Sequence, residues 1–458
     1  MSQSNWLRET DRHQMPEIRR FTYPSALKFF IRYPIFLLGF GPPIFRSQTV
    51  DATTGVTDFW SVLQIGWLTL ITLRAIYRLL AAQQILIPKQ IRAIFRLTFF
   101  LGLLFLISVA YSPSRLVSAA YAVFYFLTLI CVIEFVADAY QDPPIWVECL
   151  FHLRFIALFL FLAVVLVLPF SPQSVMMGAP GLGIRFLGGS LAPMPVICPI
   201  IAIISAYTFL HSLESRTRAA FFFFVGLGAT LATQLRGAEI ALLVALLLIA
   251  MDWARTGRHA AYMVIFGLMA SLVLGSVLVG GIGGERIWNI FNKGQNTEGI
   301  QSASGRTEIW NYVIQYCISY PQGMGYVAGF RMLFKNYFSL TSAVVASRIG
   351  NTHNTFLQYL ADAGWAALVI YLIMLAKVLA LGFRVAAKRT PVSFDLDSTS
   401  RHALRCTLVL LIYFLVEGVD ISDFAAPLRI PFFLQNIAIA IILGVSARII
   451  AASRIRPT

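Results

Sequence analysis

The chain has 458 residues, 58% of them hydrophobic and only 12% charged, about half the charged fraction of an average soluble domain. Its net charge of +15 would suggest nucleic acid in a soluble protein, but in a membrane chain Lys and Arg collect on the cytoplasmic side, so a nucleic-acid partner is excluded. The five cysteines, Cys131, Cys149, Cys198, Cys317 and Cys406, form no CxxC pair, which sets aside a disulfide framework and a metal site.

Residues 1–26 are polar and basic, include Arg19–Arg20, and lack the apolar core of a secretory signal. Beyond them come apolar runs near the roughly 20 residues that a bilayer crossing requires. They predict an all-α polytopic membrane protein of about twelve spans. The spans are expected at 27–45, 57–75, 93–111, 116–137, 150–170, 191–211, 218–234, 236–253, 259–280, 353–382, 404–424 and 430–450. Spans one to nine thus fill 27–280, spans ten to twelve fill 353–450, and 451–458 is a short tail. Pro34, Pro42 and Pro43 interrupt the first run, and Gln234–Leu235–Arg236–Gly237 joins the seventh and eighth in a tight turn.

Placing the N-terminus inside puts most basic residues in inner segments: Arg8 to Arg32, Arg74 to Arg96, then Arg154, Arg216, Arg218, Arg255 and Arg258, then Lys377 to Arg405 and Arg448 to Arg456. Short outer loops keep only Arg46, Arg115, Arg185, Arg236 and Arg429. Both termini are therefore expected in the cytoplasm. The outer segment 281–352 is far longer than the usual connection, and loops of that length tend to be functional. It carries two amphipathic stretches. In 306–320 the apolar stripe is Trp310, Val313, Ile314, Cys317 and Ile318, with Asn311, Gln315 and Ser319 opposite. In 326–340 the stripe is Phe330, Leu333, Phe334, Tyr337 and Phe338, flanked by Arg331 and Lys335, as in a helix lying on headgroups. Pro321–Gln322–Gly323–Met324–Gly325 forces a turn between them.

Charges near the outer face are the candidates for chemistry. Arg236 sits between two apolar runs, where a charge is costly and often functional, though an Arg snorkelling to the interface fits equally; Glu239 is one helical turn on and a possible partner. Arg306 begins the first amphipathic stretch, where free N–H groups and a bidentate guanidinium suit a phosphate; a solvated loop Arg is the simpler alternative. His353 opens the tenth span, where a neutral imidazole can accept a proton, and Asn354 beside it can orient a sugar or phosphate; a polar helix-end residue is the alternative. Asp362 lies inside the membrane and needs a polar partner. Glu417, Asp420 and Asp423 share one face, either as substrate contacts or as partners for Arg429 or Arg236. The absence of P-loop, HExxH, GxSxG and DxD runs argues against nucleotide hydrolysis, zinc proteolysis, serine hydrolysis and nucleotide-sugar transfer.

Together these pieces resemble the O-antigen ligase/polymerase family of bacterial surface-polysaccharide assembly, over roughly residues 180–380. The likeness rests on Ile184–Arg185–Phe186–Leu187–Gly188–Gly189, on Leu235–Arg236–Gly237–Ala238, and on Ser304–Gly305–Arg306–Thr307–Glu308–Ile309–Trp310. It continues through Pro321 to Gly325 and closes with His353–Asn354 and Gly364. The resemblance implies a glycosyltransferase in the bacterial inner membrane with its site facing the periplasm. It implies transfer of a glycan from an undecaprenyl-pyrophosphate carrier to an acceptor hydroxyl, on a lipid A core sugar in ligases or a growing polysaccharide in polymerases. Neither cofactor nor metal is implied, because the lipid pyrophosphate is already a leaving group. Arg236 and Arg306 match the arginines thought to hold that pyrophosphate, and His353 the histidine thought to assist the acceptor; Arg185, Asn354, Glu239 and Glu308 are expected around the substrate.

One position departs from the ligase form: Ala367 stands where Gly, Thr or Tyr is expected. The paired Arg-x10-Gly motifs and second large loop of many polymerases are also missing, so ligase and single-loop exopolysaccharide polymerase both stay open. A proton-coupled transporter or lipid-linked glycan flippase is the reading from another class, with Asp362, Glu417 and Asp420 as proton sites. It lacks the internal repeats usual in such folds.

Overall fold

The computed structural model describes residues 23–38, 59–81, 87–142, 144–172, 176–179, 183–186, 193–254, 306–330, 332–333, 352–387, 395–425, 427 and 429–454. The expected ninth span at 259–280, most of the 281–352 loop and both chain ends lie outside them.

The described residues are helical apart from one hairpin. In chain order they form α1 (Tyr23–Arg32), a 3-10 turn at Pro34–Leu37, α2 (Phe59–Ala81), α3 (Lys89–Ser108), α4 (Arg115–Gln141) and α5 (Trp146–Val167). After strands β1 (Met176–Ala179) and β2 (Gly183–Phe186) come α6 (Met194–Leu210), α7 (Arg216–Thr233), α8 (Arg236–Ala254) and α9 (Arg306–Ser319). The chain continues with α10 (Thr355–Ala387), α11 (Asp395–Glu417), a 3-10 turn at Asp423–Ala425 and α12 (Ile430–Arg454). Pro34 stops the first helix after ten residues, since a proline ring clashes with a continuing helix. The antiparallel hairpin pairs Met177 with Arg185. It lies between α5 and α6, and every other element among the described residues is helical, as the all-α reading expects.

Five of these helices, α3, α4, α5, α10 and the Ile430–Ala451 part of α12, are long and apolar enough to cross a membrane. The α12 window is 94% buried, against 39–44% for the other four. So α12 lies inside the bundle, and its neighbours leave large apolar side chains outside, such as Leu106, Ile107, Leu116, Leu166 and Leu372. A soluble bundle would cover such faces; a bilayer solvates them. Met194–Thr208 of α6 is also almost wholly buried, and packs on α5, α7, α8 and α11.

At one end of the bundle the basic residues meet carboxylates. Arg74 and Arg78 pair with Glu134 at 3.5 and 2.5 Å, and Arg32 Nε reaches Asp138 at 3.2 Å. Arg154 pairs with Glu214, which also holds Arg218 at 2.8 Å. Arg405 pairs with Asp252 at 3.2 Å.

At the other end α10 is broken. Ala363 and Gly364 leave helical geometry, Gly364 with φ +76°. The turn from Pro321 to Val327 fills the break and takes up the backbone groups it frees. Met324 and Gly325 N–H donate to Ala361 and Asp362 O at 2.6 and 3.1 Å, and Trp365 N–H donates to Pro321 O at 3.1 Å. Tyr326 N–H donates to Ser108 Oγ at 3.0 Å, and its ring stacks on Phe105. Phe330 is fully buried beside Cys317, Met324 and Leu360. The start of the stretch expected to lie on headgroups is therefore packed against protein; residues 334–340 lie outside the described residues.

Candidate functional site

Three stretches far apart in sequence meet at the turn that follows α11, residues 417–422, and a fourth is tied to one of them. The first is the start of α8. Thr233 ends α7, Gln234 adopts a left-handed φ of 52°, and Arg236 begins the next helix, as the sequence indicates. Gly237 then lies against the turn so closely that a Cβ there would be 2.5 Å from Asp420 Oδ2. The second is the start of α9, whose first residue is Arg306. Arg306 pairs with the Asp420 carboxylate, and its Nη1 lies 3.4 Å from Asp420 O. Burial lowers the Arg306 pKa from its usual value, and the nearby Glu417 carboxylate opposes that shift. Glu417 is fully buried, and neither of its carboxylate oxygens has a hydrogen-bond partner among the described residues.

The third stretch is Thr352–Thr355. Thr355 N–H donates to Gly418 O at 2.7 Å and its hydroxyl to Ile421 O at 2.5 Å. Asn354 Nδ2 donates to Val419 O at 3.2 Å, and Asn354 Oδ1 accepts Leu357 N–H at 3.0 Å. Both ends of that carboxamide serve the fold, as the N-cap of α10 and as a clamp on the 417–422 turn. His353, partly exposed, sits between these anchors with φ +50°. A non-glycine residue held there is uncommon and needs surroundings that fix it.

Those surroundings form a hydrogen-bonded relay. Thr352 N–H donates to Gln358 Oε1 at 3.2 Å, Gln358 Nε2 donates to Asp362 Oδ1 at 2.8 Å, and Val327 N–H donates to the same oxygen at 2.9 Å. Trp310 Nε1–H, one turn along α9 from Arg306, donates to Thr352 O at 3.0 Å. The fourth stretch, the 321–327 turn, is thus tied through Asp362 and Gln358 to Thr352, the residue before His353, and to the 3-10 turn after the site by Tyr326 Oη donating to Ala425 O at 3.3 Å. Asp362 has the polar partners expected of it.

Sequence reasoning missed Asp420 as the partner of Arg306, since it assigned that face to Arg429 or Arg236. The charge pattern gave the two residues no more reason to pair than several others. It also placed Ile318 in the α9 stripe; Ile318 is exposed, and the buried face is Ile309, Val313 and Cys317. Asn311, Gln315 and Ser319 are exposed as expected. Glu239 lies in the first turn of α8 beside Arg236, Glu308 in the first turn of α9, and Arg185 in β2, opposite Met177. The strand that carries Arg185 packs on α7. Among the described residues no group of three or more His, Cys, Asp or Glu is placed to hold a metal ion.

Apolar spanning helices with lipid-facing side chains, and two helix starts converging with His353 on one turn, define a polytopic membrane protein with a polar site at one end of its bundle. Residues 221–372 match the family model described as O-antigen ligase. The matched stretch contains Arg236, Arg306, His353 and Gly364. It is narrower than the likeness read from the sequence, leaving out Arg185. No curated protein matches the chain.

Proposed function

We propose that the protein is a glycosyltransferase that moves a glycan from an undecaprenyl-pyrophosphate carrier to an acceptor hydroxyl, in the inner membrane with the site facing the periplasm. The observation that carries this reading is the convergence of Arg236–Gly237, Arg306 and His353–Thr355 on the 417–422 turn. In the reaction the acceptor oxygen attacks the anomeric carbon as the bond to the pyrophosphate oxygen breaks. Negative charge grows on the departing pyrophosphate, where two fixed guanidinium groups stabilise it. Arg236 and Arg306, each the first residue of a helix, also bring the free N–H groups and positive dipole end of that helix to the same anion. The acceptor proton goes to His353, and attack opposite to departure inverts the anomeric carbon. The leaving group is stable enough to depart without a metal or nucleotide. Asp420 neutralises Arg306 in the substrate-free site and yields it to the pyrophosphate when the donor binds. Glu239 and Glu308, in the first turns of the same two helices, flank the anion site.

About twelve spans with cytoplasmic termini, and the long outer loop over 281–352, complete this reading. The acceptor is a lipid A core sugar or the end of a growing polysaccharide. Replacing Arg236, Arg306 or His353 by Ala tests the assignment in cells. Each variant is expected to abolish mature surface polysaccharide and accumulate the lipid-linked precursor, with normal protein levels. Normal polysaccharide from all three would overturn it.

A further inference from the structure

Away from the 417–422 turn, at the opposite end of the bundle, α3 begins with a basic stripe. Lys89, Arg92 and Arg96 are exposed on its first two turns. Arg92 and Arg96 are one helical turn apart, and neither makes an ion pair with the described residues. Their neighbours at this end differ: Arg74 and Arg78 of α2 share Glu134. Two like charges four residues apart repel along a helix, and nothing in the described protein offsets them.

Arg92, Arg96, Phe95, Phe99 and Phe100 line an open groove of about 420 Å3. Phe95 is buried, while Phe99 and Phe100 are 48% and 54% exposed. The Phe99 ring is backed edge-on by Phe126 of α4 at 5.6 Å, so this wall is fixed by packing. The groove therefore runs from two cations near the helix start to two aromatic rings one turn deeper, on a helix long and apolar enough to cross a membrane. A phospholipid has the same order of parts: an anionic phosphate at the interface and an acyl chain beneath it. In a bilayer, the anions available at this depth are lipid headgroups, and basic pockets at membrane interfaces are suited to them.

We propose that this groove binds an anionic phospholipid. The Arg92 and Arg96 guanidinium groups hold the phosphate, with the forked geometry that a lysine lacks, and an acyl chain lies along Phe99 and Phe100. The site needs no residue of the 417–422 turn and stands whatever reaction occurs there.

Native mass spectrometry of the full-length protein, delipidated in neutral detergent, tests this with added dioleoylphosphatidylglycerol or dioleoylphosphatidylcholine. One basic residue near an anionic lipid contributes about fivefold, so two give the wild type a preference for phosphatidylglycerol of about 25-fold. R92Q/R96Q is expected to remove the preference. F99A/F100A is expected to weaken both lipids while keeping it, and so tests the groove without touching the charges. R216Q/R384Q, which removes two exposed arginines elsewhere, is expected to leave the preference intact. The proposal is overturned if R92Q/R96Q binds phosphatidylglycerol like the wild type, or if R216Q/R384Q lowers binding as much. Displacement of the lipid by soluble glycerol 3-phosphate would also overturn it, because the acyl chain would then contribute nothing.

Discussion

Gly237 and Asp420 touch so closely that a methyl group on Gly237 would lie 2.5 Å from Asp420 Oδ2 and 2.6 Å from its Cβ. Asp420 is also the partner of Arg306. The glycine after Arg236 therefore sets where Arg306 is held, although the two lie 69 positions apart in sequence. Gly237→Ala is expected to push the carboxylate aside and misplace Arg306. Small displacements of positioning groups cost on the order of 10²-fold in rate. An in vitro transfer assay should show that loss in a protein that still purifies as a folded species; wild-type turnover would break the link.

Gly364 should be the least replaceable glycine in α10. It has φ +76°, and a Cβ there would collide with Pro321 O. Gly364→Ala combines a strained backbone with a collision against backbone, and should destabilise by about 3 kcal/mol or more. Gly66, in α2, has open space for 4 Å around the position a methyl would take, so Gly66→Ala should be neutral or stabilise by up to about 1 kcal/mol. Thermal unfolding of both variants in one detergent checks the contrast.

Asp362 separates transfer from proton coupling. Its Oδ1 accepts from Val327 N–H and Gln358 Nε2, a task that an Asn carbonyl oxygen can perform. Asp362→Asn should keep at least about half of wild-type transfer, and Asp362→Leu, which leaves a buried N–H unmatched, should lose stability by about 1–3 kcal/mol. A transporter using Asp362 as its proton site would fail with Asn as completely as with Leu. Transfer rate and melting temperature, measured side by side, decide between them.

All five cysteines are buried. For Cys317, on α9, burial and the nearby Asp362 push the thiol up to about 12. It stays protonated, and therefore a poor nucleophile, throughout pH 7–9. Maleimide at pH 8 should label none of the cysteines in the folded protein and all five after denaturation. Rapid labelling of Cys317 in the native state would mean that α9 does not pack against α10.

Much of this was legible in the sequence because it is local. Apolar runs gave the helices, Gln234–Gly237 gave the α7–α8 turn, and Arg306 marked the start of α9. What the sequence hid is non-local. Ala363–Gly364 sits inside a long apolar run and reads as helix interior. The break exists because the Pro321–Val327 turn, some 40 residues earlier, supplies its hydrogen-bond partners. Asp420 was one of three acidic residues with several arginines in reach, and only the packing of α8 and α9 against the turn selects Arg306 for it. The α9 stripe was misjudged at Ile318 because a short amphipathic helix allows two neighbouring faces, and contact with Leu360 and Phe330 chose the one through Ile309.

The most direct test of the central claim uses purified protein, an undecaprenyl-pyrophosphate-linked glycan and an acceptor glycan in detergent. The readouts are release of undecaprenyl pyrophosphate and the anomeric configuration of the product. The wild type should release one carrier per glycan transferred, with inversion. Arg236→Ala, Arg306→Ala and His353→Ala should each fall by about 10²-fold or more, the scale of losing one charge-stabilising or proton-accepting group, with unchanged melting temperatures. Wild-type rates in all three variants, or retention at the anomeric carbon, would contradict the account.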